Sequence, residues 1–67
     1  MKLEYLTIIV NGVVNIKRGD SIKYFGELAE FDNAWDSVEK EGWHLDNAMV
    51  THNGKTYTFI REIKQDD

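Results

Sequence analysis

The sequence contains no cysteine and no proline among its 67 residues. Without cysteine, neither a disulfide bond nor a thiolate metal site can brace the fold. A domain of this length buries only about 60% of the surface of its unfolded chain, so it is marginally stable by itself. Self-association is a further source of stability for such a chain, and we expect a homo-oligomer.

Long apolar runs are also missing. A membrane-spanning helix needs a run of about 18 apolar residues, and the N-terminus shows no signal-peptide pattern. The composition, 42% hydrophobic and 30% charged, is that of an ordinary globular domain. We therefore expect one domain over residues 1–67, cytoplasmic, of bacterial or phage type and with no membrane association.

The sequence patterns of common enzyme sites are absent. There is no glycine-rich phosphate loop, no GxSxG and no HExxH. The two histidines, His44 and His52, lie on one predicted strand roughly 25 Å apart, too far to share a metal within one chain. The sequence therefore predicts no catalytic residue, no metal site, no cofactor and no enzymatic activity.

The charge is distributed unevenly. Residues 27–46 carry seven acidic residues and one lysine, a net charge of −6, and the rest carries +2, which gives −4 in total. An acidic segment repels phosphate backbones, so nucleic acid is not an expected partner. Lys17, Arg18 and Lys23 form a small basic cluster that is most simply a solvated turn.

An amphipathic helix is the clearest predicted element. Its apolar stripe repeats at spacings of three and four residues, within an arc of about 100°: Phe31, Ala34, Trp35 and Val38. Asp32 is the predicted N-cap, and Gly42 is the predicted stop in a left-handed conformation. Trp43 would then contact Val38 in a Schellman cap and act as a structural clamp.

Three strands are predicted before the helix. Residues 3–10 are apolar on both faces, which is typical of a central strand or of one covered by a second copy. Asn11-Gly12 predicts a two-residue turn into a strand over 13–17. Residues 22–28 are ambiguous: we favour a strand from about 21 to 25, with Gly26 as a bulge or close approach, whereas Leu28 can alternatively begin the helix.

A β-hairpin is predicted after the helix. A two-residue Asn53-Gly54 turn would pair His52 with Lys55. A three-residue loop over 52–54 would pair Thr51 with Lys55 and place Gly54 in a bulge. We favour the second register because it collects apolar residues on one face: Trp43, Leu45, Met49, Tyr57, Phe59 and Ile63. The predicted fold is α+β, an antiparallel sheet of about five strands (β-β-β-α-β-β) with one helix packed on one face.

Two groups of side chains are candidate sites. His44, Asp46 and Glu62 would form a surface polar cluster with His44 opposite Glu62, where a carboxylate raises the pKa of an imidazole. A cross-strand ion pair on a wet surface is the simpler interpretation. Aromatic and basic side chains could instead stack on and neutralise a ligand: Arg61, Tyr57, Tyr24, Trp35 and Lys23.

The run AWDSVEKEGWHL and the later run YTFIREI resemble a small bacterial and phage family, the domain of unknown function 4177. Gly42, Trp43, Leu45, Phe59 and Arg61 occupy the positions that carry the resemblance. The segment over 13–25 departs from the shortest members. The resemblance implies an opening strand, a helix ending in glycine and tryptophan, and a closing hairpin. It implies no reaction, because the family has none assigned.

Two functions remain as hypotheses. The first is a non-enzymatic interaction or regulatory module that self-associates and binds another protein. The second is a binder of a small anionic or nucleotide-like ligand in a cleft at an oligomer interface. The lack of catalytic motifs and the two apolar faces of the first strand favour the first.

Overall fold

A computed structural model describes residues 2–52 and 54–63. The elements in chain order are β1 (Lys2–Val10), β2 (Val13–Arg18), β3 (Ser21–Glu27), a 3₁₀ turn (Leu28–Glu30), α1 (Phe31–Lys40), β4 (His44–Thr51) and β5 (Gly54–Ile63). Over these residues, five antiparallel strands form one sheet in the order β3-β2-β1-β5-β4. The predicted α+β class and element order are confirmed.

The central position of β1 follows from its two apolar faces. It pairs with β2 on one side and with β5 on the other. Leu6 and Ile8 face the helix and are buried, whereas Leu3 and Tyr5 face the opposite side and are exposed. A central strand typically carries apolar side chains on both faces when both faces of its sheet are covered.

The turn between β1 and β2 differs from the prediction. Val10 pairs with Val14, so the connection is longer than the two-residue Asn11-Gly12 turn that we expected. The core explains the difference. A two-residue turn would place Asn15 and Lys17 on the helix face, whereas the observed register places Val14 and Ile16 there.

The ambiguous segment divides at residue 28. β3 runs to Glu27, beyond the predicted end at Phe25, and Leu28 begins a 3₁₀ turn that leads directly into α1. The register shifts by one residue opposite Val14 and Asn15, which leaves Phe25 as the extra residue. Gly26 is buried, and a Cβ there would lie 2.9 Å from the side chain of Glu30, so the expected close approach is present.

The apolar stripe of α1 packs on the sheet as predicted. Ala34 and Val38 are buried, and Phe31 and Trp35 are partly buried against the same core. Asp32 is not the N-cap: Glu30 occupies that position and makes no side-chain capping hydrogen bond. The Glu30 carboxylate instead accepts a hydrogen bond of 2.7 Å from the Asn33 amide. The 3₁₀ turn causes this shift, because it lets the helix start one residue before Asp32.

The end of α1 is a Schellman cap, as predicted. Gly42 has φ of +88°. The Gly42 N–H donates to the Glu39 carbonyl at 3.0 Å, and the Trp43 N–H donates to the Val38 carbonyl at 3.4 Å. Trp43 is only 2% exposed. The cap therefore turns the chain so that the indole enters the core.

The hairpin register is neither of the two that we considered. Thr51 pairs with Gly54 rather than with Lys55, and Gly54 is a strand residue with φ of +119°. A Cβ on Gly54 would collide with the Val10 carbonyl oxygen, so the close approach of β1 requires glycine there. A bulge between Leu45 and Asn47 then changes the face of the residues that follow.

The bulge has a direct consequence for the predicted apolar face. Leu45 pairs with Phe59 on the helix side, as expected, but Met49 pairs with Thr56 on the opposite side. Ala48 takes the position opposite Tyr57. The buried core lies between α1 and the sheet: Leu6, Ile8, Val14, Ala34, Val38, Trp43 and Phe59. In the part of the chain that is described, neither helical segment has the length and apolarity to cross a bilayer.

Candidate functional site

The five predicted ligand-binding residues lie in three separate places. Lys23 lines a cleft between β3 and the C-terminal half of α1, and Tyr24 borders this cleft, although strand alternation directs its side chain to the other side of the sheet. Trp35 and Tyr57 line a shallow depression beside the N-terminal half of the helix. Arg61 lines neither of these. The structure therefore does not bring the five residues into one site within a single chain.

Arg61 is engaged in contacts within the protein. Its Nη1 donates to the Glu41 carbonyl oxygen at 2.7 Å, at the end of α1, and its Nη2 donates to Glu4 Oε1 at 2.9 Å. Its guanidinium lies 4.3 Å from the centre of the Trp43 ring. These contacts give Arg61 a structural role in tying the helix end to β1 and β5.

Trp35 and Tyr57 belong to an aromatic cluster that joins the helix to the sheet. The centre of the Trp35 ring lies 5.3 Å from the ring centre of Tyr57, 5.0 Å from that of Phe59 and 5.8 Å from that of Phe31. The edge-on orientations are those that aromatic pairs prefer. This packing accounts for both residues without a ligand.

The predicted polar cluster does not form as expected. His44 pairs with Ile60 rather than with Glu62, and Glu62 pairs with Leu3 of β1. Asp46 lies in the bulge of β4. The turn and the bulge explain the error together, because each moves the register by one residue and His44 therefore pairs two residues away from Glu62. Among residues 2–52 and 54–63, no group of three or more potential ligand side chains could hold a metal ion.

Among the residues that the structure describes, nothing covers one side of the sheet, which we call the open face. Alternation along the paired strands assigns the following residues to it: Leu3, Tyr5, Thr7, Ile9, Val13, Asn15, Lys17, Ile22, Tyr24, Glu27, His44, Asn47, Met49, Thr56, Thr58, Ile60 and Glu62. Only three of these carry a formal charge, Lys17, Glu27 and Glu62, although 30% of the chain is charged. The open face is therefore poor in charge and rich in apolar and threonine side chains.

Several apolar residues of the open face are well exposed. Tyr5 is 55% exposed at the centre of the sheet, and Ile22 and Tyr24 are 60% and 61% exposed on β3. Desolvation and the neighbouring Glu27 carboxylate, which accepts a hydrogen bond from the phenol, raise the pKa of Tyr24 above its ordinary value. Apolar exposure on a sheet face that is poor in charge is typical of an interaction surface.

On the helix side, β3 reverses the usual pattern of an amphipathic strand. Its helix-facing positions opposite Arg18 and Ile16 are Ser21 and Lys23, whereas Ile22 and Tyr24 point to the open face. Polar residues at inward positions leave the space beside α1 unfilled. The result is a cleft of about 450 Å³, which we call the β3 cleft.

The basic residues at this end of the sheet are not a single cluster. Lys17 lies on the open face, whereas Arg18 and Lys23 lie on the helix side and line the β3 cleft. Arg18 Nη2 donates to Glu4 Oε1 at 2.7 Å, so Glu4 is shared by two arginines. Sequence reasoning missed Glu4. The signal available was an acidic residue at a helix-facing position of an otherwise apolar strand.

Comparisons with protein-family models, with curated proteins and with solved structures found no match to this chain. The resemblance to the domain of unknown function 4177 therefore stays a prediction. Any functional conclusion must come from the two surfaces described above, the open face and the β3 cleft.

Proposed function

We propose that this protein is a small non-enzymatic interaction module that self-associates through the open face of its sheet. The observation that supports the proposal is the composition of that face. It exposes apolar side chains on three of the five strands: Leu3 and Tyr5 on β1, Ile22 on β3 and Met49 on β4. Burying them against a second copy removes apolar surface from water, which is the main driving force of association.

The charge distribution allows a second copy to dock on the open face. The chain carries a net charge of −4, so two copies repel one another at long range. The acidic residues of α1 point away from the sheet, and Asp32 and Asp36 are exposed. The open face carries only one positive and two negative formal charges. Contact through this face therefore keeps the acidic helices on the outside of a dimer.

The positions of two charges support a specific arrangement. Lys17 pairs with Thr7 on one side of β1, and Glu62 pairs with Leu3 on the other side. Tyr5 is the open-face residue midway between Leu3 and Thr7. A two-fold axis through Tyr5 in the plane of the face brings Lys17 of each copy opposite Glu62 of the other. An isologous contact of this kind makes each favourable pair twice.

The size of the face sets the expected affinity. Five strands spaced by about 4.8 Å and about 20 Å long give a footprint of roughly 500 Å² per copy. A standard stable interface buries about 800 Å² per partner. We therefore expect a weak, reversible dimer that forms in the micromolar range, as suits an adapter whose partners exchange.

Sedimentation velocity from micromolar to submillimolar concentration tests the proposal. Tyr5→Glu places two like charges on the proposed axis and should abolish association. Leu28→Glu is the matched control, because Leu28 is also 55% exposed but lies in the 3₁₀ turn, outside the open face. Far-UV circular dichroism checks that both variants are folded. A wild-type protein that stays monomeric throughout would refute self-association.

A charge swap tests the two-fold arrangement separately. Lys17→Glu and Glu62→Lys should each weaken the dimer, and the double variant should restore it. If Tyr5→Glu abolishes association but the double variant does not recover it, the open face is the interface and the axis through Tyr5 is wrong.

A further inference from the structure

We infer that the β3 cleft is a binding site for a small carboxylate with a compact apolar body, such as an aromatic or branched aliphatic acid. This goes beyond the proposed function, because the cleft lies on the helix side of the sheet and within one chain. Its volume of about 450 Å³ falls in the range of small-molecule pockets. Three features support the inference: the apolar floor of the cleft, the two cations that line it and the inverted pattern of polar and apolar residues in β3.

The floor of the cleft is apolar. Leu6 and Val38, which are 5% and 2% exposed, lie at its base together with Ile16. Phe25, the extra residue at the register shift of β3, lines it as well. These side chains suit an aromatic ring or a branched alkyl group, which gains free energy by leaving water.

Two cations line the same cleft. The Arg18 side chain is 61% exposed, and Glu4 fixes its position through a 2.7 Å ion pair. Glu4 also pairs with Arg61, so one carboxylate is shared by two guanidinium groups and leaves a positive charge at this place. Lys23 has no acidic partner within 4 Å among the described residues. A carboxylate is the anion whose planar geometry matches a guanidinium group.

The inverted pattern of β3, an edge strand of the sheet, places polar side chains beside the cleft. Ser21 and Lys23 occupy inward positions where a core strand normally carries apolar residues. Departures from the local pattern of a fold are concentrated at functional sites. The Ser37 hydroxyl on α1 lines the cleft opposite these residues and adds a neutral hydrogen-bond donor. Glu41 also lines it and excludes a second negative group on the ligand.

The cleft therefore selects for one negative charge and against two. A monocarboxylate places its charge between Arg18 and Lys23 and its body over Leu6 and Val38. A nucleotide, with several negative charges, meets the Glu41 carboxylate at the edge of the cleft. This distinguishes the inferred ligand from the nucleotide-like ligand that the sequence suggested.

Nuclear magnetic resonance titration of the ¹⁵N-labelled protein tests the inference with four probes. Benzoate and isovalerate should shift the amide signals of residues 21–25 and 37–41. Benzamide, which has the same ring without the charge, and acetate, which has the charge without the body, should bind at least about fivefold more weakly, a ratio typical of one lost charge contact or apolar group. Equal affinities for benzoate and benzamide would refute a carboxylate site.

A matched pair of lysine variants tests the location. Lys23→Gln should weaken benzoate binding by about fivefold, whereas Lys17→Gln, on the opposite face of the same hairpin, should leave it unchanged. Both lysines are exposed, so neither change should unfold the protein. Equal effects of the two changes, or shifts spread over the whole sheet, would show nonspecific charge attraction and overturn the site.

Discussion

Replacing Arg61 by methionine should destabilise the fold much more than the same change at Arg18. Both guanidinium groups bind the same carboxylate oxygen of Glu4, at 2.9 Å and 2.7 Å. Only Arg61 also donates to the Glu41 carbonyl and lies close to the Trp43 ring, at 4.3 Å compared with 5.5 Å for Arg18. Methionine keeps an apolar stem, so the comparison isolates the contacts of the charged head.

The expected loss in the free energy of unfolding is the sum of the contributions of these contacts. A cation–π contact over a buried ring contributes about 1 kcal/mol. A hydrogen bond from a charged donor to a helix-end carbonyl contributes about 1 kcal/mol when partly exposed. The ion pair contributes about 0.5 kcal/mol, because the Arg61 side chain is 28% exposed. We expect Arg61→Met to lower the free energy of unfolding by about 2.5 kcal/mol and Arg18→Met to lower it by about 0.5 kcal/mol.

Urea unfolding followed by tryptophan fluorescence measures both variants, because Trp43 is buried and Trp35 is partly buried. With a slope of about 1 kcal/mol per molar urea, Arg61→Met should move the midpoint by about 2.5 M. Arg61→Lys should recover less than half of the loss, because an ammonium group cannot reach Glu4 and the Glu41 carbonyl together. Similar midpoints for Arg61→Met and Arg18→Met would refute the role assigned to Arg61.

Two further comparisons test the backbone and the core by the same measurement. Gly54→Ala should cost about 3 kcal/mol or more, because a Cβ collides with the Val10 carbonyl at positive φ. Gly42→Ala should cost only about 1 kcal/mol, because the nearest side-chain atom would be 3.9 Å away; equal costs would contradict the hairpin geometry. Phe59→Ala should cost about 4 kcal/mol and Leu45→Ala under about 1 kcal/mol, since these paired residues are 0% and 48% exposed, and the reverse order would contradict the assigned core.

The helix and its end were predictable from local features. The spacing of Ala34 and Val38 gives the buried stripe, and Gly42 followed by Trp43 gives the cap. These features involve neighbours within about one and a half turns, so they depend on local sterics and hydrogen bonding. The N-cap assignment failed because the 3₁₀ turn before the helix leaves no pattern of its own in the sequence.

The sheet registers were less predictable. The dipeptides Asn11-Gly12 and Asn53-Gly54 predict a turn, but they do not predict which residues of the flanking strands pair. The pairing depends on which side chains reach the common core and on whether a bulge intervenes, as it does next to Leu45. For that reason His44 does not pair with Glu62, and Met49 lies on the open face.

The candidate site residues were also predicted only in part. The sequence identified Lys23 and Tyr24 as ligand candidates, and Lys23 lines the β3 cleft while Tyr24 borders it. It also grouped them with Trp35, Tyr57 and Arg61, which lie elsewhere. Residues far apart in the chain form a site only through strand order, and no local pattern records that order.

The sequence by itself determined the α+β class, the central place of the first strand and the capped helix, because hydrophobic periodicity and glycine conformation act over a few residues. The tertiary structure alone decided which faces the strands present. Only the assembled sheet shows that β3 turns Ile22 and Tyr24 away from the helix and turns Ser21 and Lys23 toward a cleft. The physical reason is that register is set by contacts between strands distant in sequence, and a change of one residue exchanges the two faces.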